Sequence, residues 1–259
     1  MKDDVIQRLV AINGEFYQSF GAAFAETRRR IQPGVDRVLT TWITDGSWLD
    51  LGCGSGALSL KWIEKGLRGK YTGLDFSDPL LSEARIGIDT CKPPPGLDMR
   101  FIKANLMDRD WENSLKADRF DGILAFASLH HLPGASTRIR VLRQAADLLK
   151  PGGLFIHSEW QFQNSPKLAA RVQPWSLAGL SEAEVDPDDA LLDWRRQAQG
   201  QPDAAGLRYV HLFNRDELAH LAVENGFTIL EEFESDGAGG NLGLYQVWKK
   251  LDAHQSSSE

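Results

Sequence analysis

The sequence predicts an α/β fold in which a mostly parallel sheet carries helices on both faces, and three stretches support that prediction. The first is Trp48-Leu-Asp-Leu-Gly-Cys-Gly-Ser-Gly56, where a short apolar strand runs into a glycine turn and straight on into a helix over residues 57–65. The second is an apolar run over residues 70–75 that ends on Asp75, about twenty residues further on, the separation expected within a βαβ unit. The third is the stretch 120–125, continuously apolar after Asp121, as a central strand buried on both faces must be.

Gly52, Gly54 and Gly56 let the backbone turn tightly and pass close to a ligand with no Cβ in the way. The free N–H groups at the start of helix 57–65 point back into that turn and favour a polar or anionic group there. Asp75, at the carboxyl end of the second strand, would lie beside the loop, where a carboxylate can accept both hydroxyls of a ribose. A nucleoside-containing cofactor is the expectation. Gly52-Cys-Gly-Ser-Gly-Ala57 also fits the dinucleotide pattern G-x-G-x-x-A, so the loop alone leaves two cofactor classes open.

Bulk properties narrow the setting. A chain of 259 residues can bury one good core with an added segment. Its hydrophobic fraction of 42% and charged fraction of 25% are those of a soluble globular protein. No apolar run is long enough to span a bilayer, and Asp3 and Asp4 stand where a signal peptide would be basic, so a cytoplasmic, membrane-free protein is expected. Cys53 lies in the glycine loop and Cys91 in a proline-rich linker with no clustered histidines, which argues for neither a disulfide frame nor a metal site. A net charge of -7 argues against a nonspecific nucleic-acid coat. Arg28, Arg29 and Arg30 form the most concentrated basic patch.

Taken in order, residues 3–24 read as a helix with Phe16, Phe20 and Phe24 on one face and Asn13-Gly14 as a candidate break. The rings are expected to pack over the sheet or a neighbouring helix, and residues 1–34 to form a helical lid over the cofactor site. Pro33-Gly34 sets a turn that would hold one of the arginines over the active-site mouth. The core unit, 35–158, begins with a helix over 35–44 that turns Val38, Leu39, Trp42 and Ile43 inward and stops at Asp45-Gly46. After Asp75, Ser77 or Asp78 caps a helix with Pro79 in its first turn, ending near Asp89. Pro93-Pro-Pro-Gly96 is a stiff connector to the third strand, 99–103. The loop 126–132 after the fourth strand faces the carboxyl ends of the strands, where ligands bind in open α/β sheets, so His130 and His131 are expected to line a substrate pocket.

Helix 136–149 places Ile139, Leu142, Ala145, Ala146 and Leu149 on one side, and Lys150-Pro-Gly-Gly153 ends it before a fifth strand over 154–158. Residues 159–210 form a long insertion with Pro174-Trp175, an acidic run over 182–189 that reads as solvated surface, and a short helix around 191–197. A stretch of this length at the carboxyl edge of a sheet reads as a lid or specificity element. The last unit, 211–251, holds a helix opened by the capping-box-like Asn214-Arg-Asp-Glu217 and closed by Gly226, then strands over 227–233 and 244–248 joined by a glycine-rich turn. The tail, 252–259, is expected to be disordered.

The fuller Asp50-Leu-Gly-Cys-Gly-Ser-Gly56 resembles motif I of the class I S-adenosylmethionine (SAM) methyltransferases. Phe120-Asp-Gly-Ile-Leu-Ala125 is similar to that family's fourth strand, His130-His-Leu-Pro133 to its following loop, and Leu149-Lys-Pro-Gly-Gly153 to its connection into strand five. The resemblance implies a Rossmann-like, seven-stranded, mostly parallel sheet of order 3-2-1-4-5-7-6 with strand 7 antiparallel. It implies SAM as cofactor, S-adenosyl-L-homocysteine as product, and a binding site made of Asp50, Gly52, Cys53, Gly54, Gly56, Asp75, Phe76, Asn105, Leu106 and Phe126. By the same resemblance Asp50 faces the aminoacyl part and Phe76 stacks near the adenine. Asn105 stands where the family commonly has an Asp that accepts from the adenine amino group, and an amide oxygen can still accept that bond. SAM has no pyrophosphate, so a third close glycine at Gly56 suits it better than a dinucleotide.

Phe16-Tyr-Gln-Ser-Phe-Gly-Ala-Ala-Phe-Ala-Glu-Thr-Arg28, the His130-His131 loop, Pro174-Trp175 and Leu207-Arg-Tyr-Val-His-Leu-Phe213 further resemble the tRNA wobble-uridine carboxymethyl methyltransferases, including the methyltransferase half of the AlkB-homologue fusion enzyme. That resemblance implies tRNA and a small zinc-binding activator protein as partners, and Arg28 and His131 as a clamp on the substrate carboxylate. Such an acceptor is already ionised at neutral pH and needs alignment more than a base. A hydroxyl or amine acceptor would instead require His130 or His131 to take a proton. The acidic balance and the lack of a basic extension speak against tRNA. A small-molecule O- or N-methyltransferase, a non-catalytic SAM-binding module and an NAD-linked oxidoreductase therefore stand as the other readings.

Overall fold

The computed structural model describes residues 1–26, 30–115, 117–196 and 204–252, with backbone alone at 22–26, 196 and 204. Phe24, Arg28, Arg29 and the tail over 253–259 lie outside the described side chains. The chain opens with α1 (Asp3–Glu26) and α2 (Pro33–Thr41), then alternates as β1 (Gly46–Leu51), α3 (Ala57–Glu64), β2 (Gly69–Asp75), α4 (Asp78–Cys91), β3 (Leu97–Lys103), β4 (Phe120–Phe126), α5 (Ala135–Leu148) and β5 (Leu149–Trp160). There follow α6 (Pro166–Ala169), β6 (Val172–Gln173), β7 (Asp189–Arg196), β8 (Ala204–His211), α7 (Arg215–Glu224), β9 (Phe227–Ser235) and β10 (Gly243–Lys250). No helix of the described residues is long and apolar enough to cross a membrane.

The main sheet has the order β3-β2-β1-β4-β5-β10-β9, with β1 parallel to β2 and β4 and with β10 antiparallel to both β5 and β9. Numbered within that sheet alone, this is 3-2-1-4-5-7-6 with the seventh strand reversed, as the family resemblance implies. The central strands are apolar on both faces because helices cover both. Leu49, Leu51, Ile123 and Phe155 pack on one side with α5 and α7, while Trp48, Leu124 and Ile156 pack on the other with α2 and α3. Burying each such side chain contributes roughly 1.5–3 kcal/mol. The Trp48 ring crosses β4 at Gly122, where a Cβ would stand 2.1 Å from it.

A second sheet, β6-β7-β8, is antiparallel and lies against α1. Here the expected helix around 191–197 is corrected to strand β7. The reason is burial on two faces: Leu191 packs with Val5, Leu9 and Ile12 of α1, whereas Ala190 and Leu192 pack with Phe162 and Val210. Alternation of that kind has the period of a strand. The expected break at Asn13-Gly14 is also corrected, because α1 runs through it. Asn13 is buried, accepting from Tyr209 N–H at 2.8 Å and donating to Tyr209 O at 3.2 Å, so its amide ties the helix to β8 instead of ending it. Phe16 and Phe20 pack against Trp194, with ring centroids 5.8 and 5.4 Å away.

Four further expectations change. Lys150-Pro-Gly-Gly153 belongs to β5 as a bulge, since Leu149 pairs with Phe120 and Leu154 already with Gly122. The strand also continues to Trp160, beyond the expected end at residue 158. The acidic run is only partly solvated surface: Glu182 and Glu184 are exposed, but Asp186 meets the buried Arg138 and Asp189 meets His211 at 2.7 Å. The capping box at α7 is half formed. Asn214 Oδ1 accepts from Glu217 N–H at 2.9 Å, and the Glu217 carboxylate turns to His211 Nε2 at 2.9 Å.

Candidate active site

The glycine turn leaves β1 with its first two N–H groups donating to one oxygen: Gly52 N and Cys53 N lie 2.7 and 3.0 Å from Leu74 O. Gly52, Gly54 and Gly56 have φ of +76°, +54° and +80°, a region that L side chains disfavour. Packing adds different demands at each. A Cβ on Gly52 would stand 2.4 Å from Ser128 Oγ, and one on Gly56 would stand 2.8 Å from Ala84 Cβ of α4. A Cβ on Gly54 would meet nothing within 4 Å. Gly54 therefore borders open space, whereas Gly56 is kept small by the neighbouring helix.

That open space is a cavity of about 940 Å³ at the carboxyl ends of the strands. It is bordered by Asp50, Gly52, Cys53, Gly54, Asp75, Phe76, Asn105, Leu106, Phe126, His130 and His131, so all the sequence-derived candidates except Gly56 and Arg28 meet on one surface. Gly56 stands behind the wall, and Arg28 lies outside the described residues. Arg30 is exposed and borders the cavity beside Gln32 of the α2 entrance.

Asp75 is buried, and its two oxygens accept from Gly54 N–H and Ser77 N–H, each at 2.9 Å. A carboxylate offers about four lone-pair sites, so these backbone bonds still leave room for a ligand's hydroxyl. Burial raises its pKa, while the backbone bonds from Ser77, Gly54 and Phe76 pull it down in part. Asp50, also buried, accepts from Tyr71 O–H at 2.5 Å. Burial pushes its pKa up to about 7, the Tyr71 bond opposing and the charge of Asp75 adding to the rise. A cationic group arriving at the cavity wall would restore its charge. Burial likewise pushes the Cys53 thiol well up, leaving it a neutral wall atom.

Phe76 meets the Tyr17 ring edge-on at 5.8 Å, and Asn105 Oδ1 accepts from Met107 N–H at 3.0 Å. His131 Nδ1 faces Tyr209 O at 3.1 Å, which makes it the donor, and Nε2 then accepts from Tyr17 O–H at 2.9 Å. His131 is thus joined to α1 through Tyr17. His130 is buried with Nδ1 3.2 Å from Glu159 Oε2, and the other Glu159 oxygen lies 2.9 Å from His157 Nδ1. Burial and the charge of Glu217 push the Glu159 carboxyl well up, and burial pulls His157 down to about 3, so His157 is neutral.

Tyr17, Glu159 and Arg208 border the cavity and were absent from the sequence-derived site. Tyr17 and Arg208 sit inside the two stretches that carry the narrower family resemblance, which was the signal available for them. Glu159 follows the apolar part of β5, and an acidic residue at the carboxyl end of a central strand was its only sequence signal.

The geometry fits a nucleoside bearing an amino-acid chain: a backbone cradle with an open glycine, a buried carboxylate with lone pairs for ribose hydroxyls, and a second carboxylate beside it. Comparison with known proteins agrees. A family model described as a methyltransferase domain matches residues 24–232. The tRNA (carboxymethyluridine(34)-5-O)-methyltransferase of Schizosaccharomyces pombe is 25% identical over 236 residues, covering 84% of this chain and 89% of its own length. A SAM-dependent methyltransferase from Methanosarcina mazei has a TM-score of 0.60 at 22% identity, over 85% of this chain and 98% of that one. The 1,6-didemethyltoxoflavin-N1-methyltransferase of Burkholderia thailandensis, solved with S-adenosylhomocysteine, has a TM-score of 0.59 at 19% identity, over 96% and 89%.

Proposed function

Because this chain belongs to the methyltransferase domain family, we propose that it transfers a methyl group from SAM to the carboxylate of a carboxymethyl-modified wobble uridine in tRNA. The observation that carries the reading is the open glycine turn at Gly54, with Asp75 and Asp50 bordering the same cavity. The acceptor is supported by the relative from Schizosaccharomyces pombe, which is named for methyl transfer to carboxymethyluridine at tRNA position 34.

When bound, SAM would supply a sulfonium methyl group, whose carbon–sulfur bond breaks as the acceptor atom bonds to the methyl carbon, with S-adenosyl-L-homocysteine as the leaving group. The Gly52–Gly54 backbone and Asp75 hold the ribose end, and Asp50 receives the ammonium of the aminoacyl end. Phe76, Leu106 and Phe126 cover the apolar faces, with Asn105 beside the base. An ionised carboxylate needs no base, so the residues around it act by orientation and by keeping water out. By the family resemblance Arg28 and His131 would clamp the acceptor carboxylate, for which His131 Nε2 would have to part from Tyr17 O–H and carry a proton. Residues 1–34 and 159–210 close over the acceptor as a lid. Tyr17, on α1, and Arg208, on β8, both border the cavity from that side.

His130 backed by Glu159 favours a second reading, a small-molecule hydroxyl or amine acceptor that must lose a proton. The neighbour from Burkholderia thailandensis is an N1-methyltransferase of the small molecule 1,6-didemethyltoxoflavin. Incubation with labelled SAM, total RNA and a small-molecule extract, with and without added cell protein as a source of activator, separates the readings. Label confined to tRNA supports the first and label in metabolites the second. SAM binding with no label transferred to either pool would leave a cofactor-binding module.

A further inference from the structure

Arg208 is 5% exposed and still borders the cavity. It lies on the face of β8 that it shares with Val210, opposite Leu192 of β7, and Val210 and Leu192 belong to an apolar cluster with Phe162 and Ala190. A guanidinium on so apolar a face is costly to bury, which singles out this position among the cavity's walls. Its central carbon sits 5.0 Å from the Phe16 ring centroid and 5.2 Å from that of Trp160, so an aromatic ring of α1 and another of β5 flank it. Flanking rings fix the plane of a guanidinium and leave its N–H edge to point between them. Five donors in a planar fork allow it to serve an internal partner and a ligand together. Trp160 and Leu168 border the same cavity as Arg208, so the residue stands beside ligand space.

We propose that Arg208 recognises a carboxylate on the methyl acceptor, making negative charge a requirement of the substrate class. This rests on the reading of the cavity as a methyl-transfer site and adds a residue that the family resemblance did not assign. A forked donor can hold one carboxylate group from the side while leaving an oxygen lone pair directed at the methyl group.

The test titrates 5-carboxymethyluridine and its neutral isostere 5-carbamoylmethyluridine into the protein saturated with S-adenosylhomocysteine. Wild type should prefer the carboxylate by roughly tenfold or more, as expected for a charge-assisted contact. Arg208→Gln should bring the two affinities to parity with cofactor affinity unchanged, and Arg208→Lys, which keeps charge but loses the fork, should retain only part of the preference. Equal binding of both nucleosides by wild type, or an undiminished preference in Arg208→Gln, would overturn the proposal. Should Arg208→Gln fail to fold, the wild-type preference and the loss in Arg208→Lys decide it. Labelled SAM with total RNA and added cell protein is followed in parallel: a carboxylate preference with no label in tRNA would set aside the tRNA reading and leave the role of Arg208 standing.

Discussion

Substituting Gly54 by alanine isolates the ligand-facing role of the glycine loop, because the fold supplies its own control. Gly54 and Gly66 share a left-handed backbone, with φ of +54° and +68°, and a Cβ at either would meet nothing within 4 Å. The two alanine variants should therefore carry the same backbone penalty, about 1 kcal/mol each, and lower the melting temperature by about 2–4 °C. They differ in place: Gly54 borders the cavity and Gly66 closes α3 away from it. A methyl group inserted into a fitted wall costs about 1–3 kcal/mol, which is roughly 5- to 150-fold in affinity. Calorimetric titration with S-adenosylhomocysteine should show that loss in Gly54→Ala and wild-type affinity in Gly66→Ala, with matched melting temperatures. Equal cofactor affinity in both variants would refute the placement of the cofactor against this loop.

Asp75→Asn should weaken cofactor binding by roughly 10- to 100-fold, because a charged acceptor is lost and an amide N–H₂ is set against Gly54 N–H or Ser77 N–H, each 2.9 Å from a carboxylate oxygen; equilibrium titration measures it. Asp50 has a folded pKa of about 7 against 3.8 unfolded, so its stabilising share is complete below the unfolded value and is lost as pH rises through about 7. Against Asp50→Asn, wild type should thus lose stability from about pH 4 to pH 7, by at most about 4 kcal/mol, in denaturant melts. An ammonium beside Asp50 would lower its pKa again, so cofactor binding just below pH 7 should release a proton, read from the dependence of binding enthalpy on buffer. At His211, burial pulls the pKa down, but the bonds to Asp189 and Glu217 outweigh it and the net shift is upward. Its stabilisation is complete below the unfolded pKa and lost as pH rises through the raised folded value. His211→Gln should cost about 3 kcal/mol in mildly acidic buffer and clearly less in alkaline buffer, by thermal melts at both.

The candidate cradle was legible from sequence because it is local: strand, glycine turn and helix follow one another within Trp48–Glu64, and Asp75 is one βαβ unit away. The distal walls were less so. Glu159 required knowing that β5 runs two residues further, and Tyr17 and Arg208 meet the pocket only because α1 lies across β8. The stretch 191–197 misled for a related reason. Its Leu191 and Leu192 carry no strand pattern until partners from α1 and the β5 extension bury one each from opposite sides.

The amino-acid sequence by itself determined the doubly covered sheet, its reversed last strand and the cofactor end of the cavity. The sheet and the glycine turn follow from apolar runs, glycines and carboxylates whose spacing along the chain sets their spacing in space, and the reversed strand from the family resemblance. Only the tertiary structure decided the acceptor end. There the small second sheet, the N-terminal helix and the end of β5 converge from segments up to 196 residues apart, as between Asn13 and Tyr209. Contacts at that separation are chosen by the burial of faces against one another, which no local pattern encodes.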